Sequence, residues 1–494
     1  MDGRVSSRNV ADVTLVNMNM LCVRYVDRSE REVHLPLGPL YLASAIEKEG
    51  YAVDFRDFQL EDRADKFSPE VLGRFLSDAA DVLFVSCMAN LLPFTLLALR
   101  SYREVHPDAF IALGGVGAAG VEREVLALCP WVDAIGVGEG EVSGPALLRA
   151  AKRGRTASGR YDLSEVPGIV WREGDELRAQ PSPCRLQDLD ATAPAWHLVD
   201  LPRYAGINVI TSRGCPFPCS FCSVAPVWGR KPVLRSVEGI VAEMEQLHEL
   251  AGCDLFLFQD EYFVSSPDRV HALCNAIVAR GLPVRWKAFG RIDQTDDATM
   301  RAMAGAGCIE LRYGVESGSD RVLSRVVKGF DAKRAHEVLS EAVGIFPGVD
   351  AFYMWGFPFE TMQDFQQTLL HMIASRAMGV RILPSLLSLL PQTTLYRDLD
   401  PSTQLEFFPE LFPEYMLTGH EVCDAGRVRI ADEHAPIYAF IRQHPRIFPG
   451  FFHVDVEGNV LPKYRLLQKF GFYASQDRHE LLGAEVECCG AHSP

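Results

Sequence analysis

Residues 211–223 read TSRGCPFPCSFCS and place three thiols, Cys215, Cys219 and Cys222, on one short proline-stiffened turn. With 13 cysteines in 494 residues, a C-x3-C-x2-C spacing arises by chance in roughly one such sequence in a hundred. Disulfides take cysteines in pairs and a structural zinc takes four ligands, so a triplet satisfies neither. An iron–sulfur cube has four irons, and three thiolates leave one iron free to bind something else. The alternatives are a zinc site completed by a distant side chain, or three unconnected core thiols. His197 and His248 are the nearest nitrogen ligands, and neither has ligand-like spacing.

Converging thiolates need a scaffold, and the flanking sequence supplies one. The first 153 residues alternate short apolar strands at 13–17, 51–55, 81–87, 109–114 and 132–137 with helical stretches near 38–49, 68–78, 94–105, 121–128 and 141–153. Such alternation, with strands apolar along nearly their whole length, predicts a Rossmann-like parallel sheet covered on both faces. Two small-residue turns, LGGVGAAG (113–120) and GVGEGE (136–141), fall at strand ends where these sheets bind ligands. Residues 154–205 read as a hairpin and a proline-containing linker. From 206 to 390 the alternation resumes, with strands near 206–211, 254–259, 284–289, 309–315, 350–356 and 380–385. Six strands suit a partial (β/α)6, TIM-like barrel, and the thiols follow its first strand, at the end where barrel enzymes do chemistry. Residues 391–494 are richer in aromatics, as in LEFFPELFPEYM and IFPGFFHVD, and read as a helical, aromatic-rich cap ending in a frayed tail that holds Cys488–Cys489.

Composition narrows the partners. The net charge of −16 and the lack of any Lys/Arg run disfavour a nucleic-acid substrate, because phosphate neutralisation supplies most of that affinity. No near-uninterrupted apolar run reaches about 18 residues, so no membrane span is expected. The polar start, MDGRVSSRNVADV, lacks a signal-peptide core, and thirteen cysteines scattered along a chain without an export signal suit a reducing cytoplasm.

The cysteine motif resembles that of the radical SAM superfamily, and downstream segments resemble its later strand ends: LFLFQDEYF (255–263), FGRIDQ (289–294), ELRYGVESGSDRVL (310–323) and YMWGFPFET (353–361). The resemblance implies a [4Fe–4S] cluster on Cys215, Cys219 and Cys222 whose open iron chelates S-adenosylmethionine (SAM), cleaved on reduction to a 5′-deoxyadenosyl radical. It implies SAM contacts from Phe221, Gln259, Asp260, Arg291, Glu316, Ser317 and Gly356. The order of sheet, linker and barrel resembles the cobalamin-binding branch, through LPLGPLYLASAIEKEGYAVDF (35–55), FIALGGVGAAG (110–120) and VDAIGVGEGE (132–141). Corrin contacts are then expected from Ser86, Gly114, Gly115, Gly138 and Glu139, since a flat macrocycle needs backbone it can approach closely. The D-x-H-x-x-G element that ligates cobalt elsewhere is absent, as it is from many members of this branch.

The branch implies a cobalamin-dependent C-methyltransferase acting on a small-molecule biosynthetic intermediate, with electrons from a reductase such as flavodoxin or ferredoxin. A second reading keeps the cluster and treats the sheet domain as vestigial, giving a dehydratase, epimerase or rearrangement enzyme; Glu261, Tyr262, Tyr313 and Tyr353 are its candidate proton donors and acceptors. A third is a non-catalytic iron–sulfur carrier, although carriers usually ligate every iron with cysteine.

Overall fold

The computed structural model describes residues 11–24, 29–61, 68–157, 159–181, 185–413, 416, 422–423, 427–428 and 434–473; the Cys488–Cys489 pair lies outside them. These residues divide into two compact units, one within Met1–Asn19, Pro36–Leu186 and Thr192–Val199, the other within Met20–Leu35, Gln187–Ala191 and Asp200–Pro494.

The chain starts with β1 (Val13–Asn17) and a hairpin of β2 (Leu21–Arg24) and β3 (Ser29–Glu32), which counts with the second unit. The first unit continues through α1 (Leu37–Lys48), β4 (Val53–Asp57), α2 (Pro69–Phe75), β5 (Val82–Ser86), α3 (Leu92–Val105), β6 (Phe110–Gly114), α4 (Glu122–Leu128), β7 (Ala134–Gly136) and α5 (Gly140–Lys152). A hairpin of β8 (Ile169–Glu173) and β9 (Glu176–Gln180) follows. The sheet order is β4-β1-β5-β6-β7-β8-β9, parallel through β7 and antiparallel for the last two. β1 is buried at every position because helices cover both faces, and that is why its sequence VTLVN does not alternate. Val13, Leu15, Phe84, Phe110, Ile169 and Trp171 share one core, each burial contributing about 1.5–3 kcal/mol. β4 begins two residues later than its apolar pattern suggests, because β1 pairs Val13 with Val53 and carries the ladder on to Asp57. The hairpin read as linker is instead sheet edge: β8 pairs with β7 and buries Ile169, Val170 and Trp171.

In the second unit the sheet is β10 (Ile207–Val209), β13 (Leu255–Phe258), β14 (Arg285–Gly290), β15 (Cys308–Glu316), β16 (Gly348–Trp355) and β17 (Arg381–Leu386), paired in that order and all parallel. Between β10 and β13 lie β11 (Ser212–Arg213), α6 (Val224–Trp228), β12 (Val233–Leu234) and α7 (Val237–Ala251). The crossovers are α8 (Pro267–Arg280), α9 (Asp297–Gly305), α10 (Asp320–Arg325), α11 (Ala332–Val343) and α12 (Met362–Ala377). Their starts are written in the sequence: Ser236, Ser266, Asp296, Asp331 and Thr361 each cap a helix, and Thr361 with Asp364 forms a capping box. Strand alternation sorts β15 and β16. Leu311, Tyr313, Val315, Ala351, Tyr353 and Trp355 are buried on the helix side, while Arg312 and Asp350, with Glu310, Lys287 and Arg381, form an ion-pair cluster across β14–β17.

The C-terminal segment holds α13 (Thr394–Arg397), β18 (Leu405–Phe407), β19 (Val422–Cys423), β20 (Arg427–Val428), α14 (Ala435–Gln443), β21 (Phe452–Val454) and α15 (Leu461–Lys469). The aromatic richness is real, with Phe407, Phe412, Tyr438, Phe451 and Phe452 packed ring on ring. The expected helical cap is in fact mixed, because β18 and β21 pair antiparallel and set Leu405 opposite Val454.

Candidate active site

The three cysteines lie on a loop, residues 214–232, closed at its base by the β11–β12 ladder. Two carboxylates beyond β13 brace that base. Asp260, fully buried, accepts hydrogen bonds from Thr211 N (2.9 Å), Thr211 Oγ1 (2.9 Å) and Ser212 Oγ (2.7 Å). Burial pushes its pKa up to about 6 against those three donors. Glu261 Oε2 accepts from Gly214 N at 3.2 Å, and burial raises its pKa too. Arg269 Nη2 donates to the Thr211 carbonyl at 3.0 Å, and the Arg213 guanidinium lies over the Trp228 ring.

The far side of the loop rests on the turn after α10. Ser220 N donates to Val326 O (3.2 Å), Cys219 Sγ lies 3.8 Å from Val327 O, and Arg291 bonds the Lys328 carbonyl. Arg291 also sits 3.5 Å from the Phe217 ring centroid and 3.8 Å from Cys219 Sγ, and it pairs with Asp293 at 2.6 Å in a geometry that makes an ion contact rather than a hydrogen bond. Val327 adopts φ +61°, a strained conformation for a β-branched residue that turns its carbonyl toward the thiols. Sequence reading missed Val326–Lys328; a VVKG string carries no signal of its own. Lys328 is buried, pairs with Glu316 at 3.1 Å, and stands 6.0 Å from the Phe221 ring.

The donor set fits a cube better than a single ion. A tetrahedral zinc with bonds of about 2.3 Å draws its sulfurs to about 3.8 Å from one another. Among the described residues no group of three or more His, Cys, Asp or Glu side chains is arranged to hold a single metal ion. The thiols nonetheless lie close enough to interact: burial first, then Cys219 and Cys215, push Cys222 up to about 11, and burial first, then Cys219, raises Cys215. Such a set calls for cationic charge between its members. Val224 N–H points at Cys222 Sγ (3.5 Å), as a thiolate ligand requires.

Strand ends bring some expected residues to the loop and take others away. Phe221 meets Phe357 (6.2 Å between centroids) and packs against a buried cluster that includes Leu387 and Leu389. Gln259 follows β13, tied to Val209 O through its backbone; Glu316 ends β15 at φ +69°, and Gly356 follows β16 at φ +84°. Tyr262 stays beside the loop, edge-on to Phe217 at 5.4 Å, its hydroxyl 3.5 Å from Gln294 Oε1. Asp260 and Glu261 follow the end of β13 closely and accept hydrogen bonds from the loop's base. Ser317 is fully buried and bonds Thr368 Oγ1 on α12 (2.7 Å). Tyr313 and Tyr353 point away from the thiols. Tyr313 meets Met300 Sδ on α9, and Tyr353 meets His371 Nδ1 (2.7 Å) and Ser375 on α12, because both sit on the helix-facing parity of their strands.

In the first unit the expected contacts gather at the carboxyl ends of β5, β6 and β7. Ser86 pairs with Gly114, and a Cβ at Gly114 would meet no described atom within 4 Å, which leaves the open backbone a macrocycle requires. Gly115 is required by the fold: at φ +77° a Cβ would stand 2.7 Å from the Cys87 carbonyl oxygen. Gly138 has φ +88°, and Glu139 is buried against Leu186 N (2.6 Å) and Arg185 (3.9 Å). The same rim carries polar groups the sequence did not announce. Asp57 accepts from Asn17 and Gln59 (2.8 Å each), and Asn19 Oδ1 is buried with no hydrogen-bond partner among the described residues. An open Gly114 and an orphaned amide oxygen at one rim fit a bound corrin.

Two family models match the chain: the B12 binding domain over residues 25–148 and the Radical SAM superfamily over residues 209–372. An uncharacterised methyltransferase of Pyrococcus horikoshii is 27% identical over 68% of this chain and 72% of its own length. An anaerobic magnesium-protoporphyrin IX monomethyl ester cyclase of Cereibacter sphaeroides is 28% identical over 67% of this chain but only 55% of its own length. Among solved structures, the radical S-adenosylmethionine methyltransferase TsrM from Kitasatospora setae superposes over 88% of this chain and 90% of its own, with a TM-score of 0.65 at 18% identity. The cofactors that go with those two domains are a [4Fe–4S] cluster, SAM and cobalamin. Among the described residues no helix is long and apolar enough to cross a membrane.

Proposed function

The chain is a radical SAM protein that carries a B12-binding domain, and from that premise we propose that it is a cobalamin-dependent methyltransferase acting on a carbon centre of a small molecule. The observation that carries the reading is the three-thiol loop braced by Asp260 and Glu261 at the carboxyl end of a parallel part-barrel. When bound, the cluster and SAM supply a radical that abstracts hydrogen, and the corrin supplies the methyl group. The chain's own residues fix the loop's base, seat Phe221 against the end of β16, and keep the Lys328–Glu316 pair out of water beside it. The open rim at Ser86 and Gly114 holds the corrin. A net charge of −16 supports a small substrate over a polyanion. Electrons come from a small reductase of the flavodoxin or ferredoxin kind.

Anaerobically purified protein should hold close to four irons and one cobalt per chain. With reductant, SAM and a methylatable substrate it should release S-adenosylhomocysteine and 5′-deoxyadenosine in equal amounts. Deoxyadenosine without homocysteine would remove methyl transfer. That outcome would favour the second reading, radical chemistry without methyl transfer, which the cyclase relative supports.

A further inference from the structure

The carboxyl end of β16 is held by the C-terminal segment, through side chains that none of the cysteine-loop contacts use. Gly356 stands at φ +84°, and a Cβ there would lie 2.7 Å from Leu386 Cδ1, so this backbone shape is reserved for glycine. Its N–H donates to Glu360 Oε2 at 2.9 Å, four residues on. Its carbonyl and that of Phe357 each accept from Asn459 Nδ2 at 3.3 Å. Lys463 on α15 donates to Glu360 Oε2 (2.7 Å), to the Glu360 carbonyl (3.1 Å) and to Asn459 Oδ1, which uses all three of its protons. The pair is out of water, with Lys463 1% exposed at its side chain and Glu360 0%. A buried ion pair gives little net stability over an apolar one, and what it can fix is geometry. Here the geometry belongs to a turn whose Phe357 ring meets Phe221, one of the two residues between Cys219 and Cys222. The other end of the turn is already fixed by the Thr361–Asp364 capping box of α12.

We propose that Lys463 is a positioning residue: through Glu360 and Asn459 it holds the Gly356–Glu360 turn in the shape that receives SAM beside the cysteine loop. The inference rests on the radical SAM reading above.

The test uses the full chain with its cluster reconstituted, comparing wild type with K463M and N459L. Iron per chain, SAM affinity by equilibrium dialysis, amide hydrogen exchange over residues 356–361, and KM and kcat for SAM cleavage are read on each. The clamp requires both variants to keep their iron, to exchange faster at Gly356 and Phe357, and to bind SAM about tenfold or more weakly. The loss should fall on KM for SAM, with kcat within about threefold of wild type. SAM affinity within about twofold of wild type in a folded variant overturns the proposal. So does a variant that loses iron and SAM together, since that reports general collapse of the loop. Should K463M fail to fold, N459L, which removes no charge, decides alone. Wild type that holds iron but binds no SAM would sink the radical SAM reading itself, and exchange at Gly356 would still report on the clamp.

Discussion

Asp260 is committed to the base of the cysteine loop. Its carboxylate follows β13 at the loop's edge, yet its three donors all come from Thr211 and Ser212. Asp260→Asn offers an amide where three donors point, and should cost about 1–3 kcal/mol and lower iron retention, measured by denaturation and by iron content after gel filtration. Its pH dependence has a definite sign. Burial lifts the folded pKa to about 6, above that of the unfolded carboxyl, so the stability it contributes is complete at acid pH and lost as pH rises. The wild-type-minus-D260N difference should therefore fall by about 3 kcal/mol between roughly pH 4 and pH 6. A flat difference would mean that Asp260 is not buried as described.

At the scale of elements, strand parity decides which side chains meet the thiols. Tyr353→Phe removes hydrogen bonds to His371 and Ser375, costs about 1 kcal/mol of stability, and should leave SAM cleavage unchanged. Tyr262→Ala, which removes the ring edge-on to Phe217 of the cysteine loop, is the tyrosine exchange expected to lower SAM cleavage, read as 5′-deoxyadenosine released. The two glycines after β6 should also separate. Gly115→Ala drives a methyl into the Cys87 carbonyl at positive φ and should lower stability by about 1–3 kcal/mol or more. Gly114→Ala should fold normally and retain less cobalamin, read from the corrin spectrum after desalting.

At the scale of the whole molecule, net charge bears on which partners are favoured. With a net charge of −16, binding of bulk tRNA at about 0.15 M salt should be weaker than about 10 μM by filter retention. Tight, salt-sensitive binding would point to a basic face and reopen the choice of substrate. The C-terminal segment departs furthest from its sequence reading, since it contributes a strand pair and the Lys463 clamp rather than a plain helical cover.

The amino-acid sequence determined the periodic part of the protein. Apolar runs at 13–17 and 81–87, glycine turns after strands, Ser and Asp caps before helices, and the Cys215–Cys219–Cys222 spacing are local signals, each set by neighbours within a few positions. Tertiary structure decided which polar groups spend their hydrogen bonds on what. Asp260 lies 49 residues from Thr211 and Lys463 lies 103 from Glu360, and no local pattern encodes such a pairing. It is fixed when buried polar groups must find partners or bear the cost of leaving water.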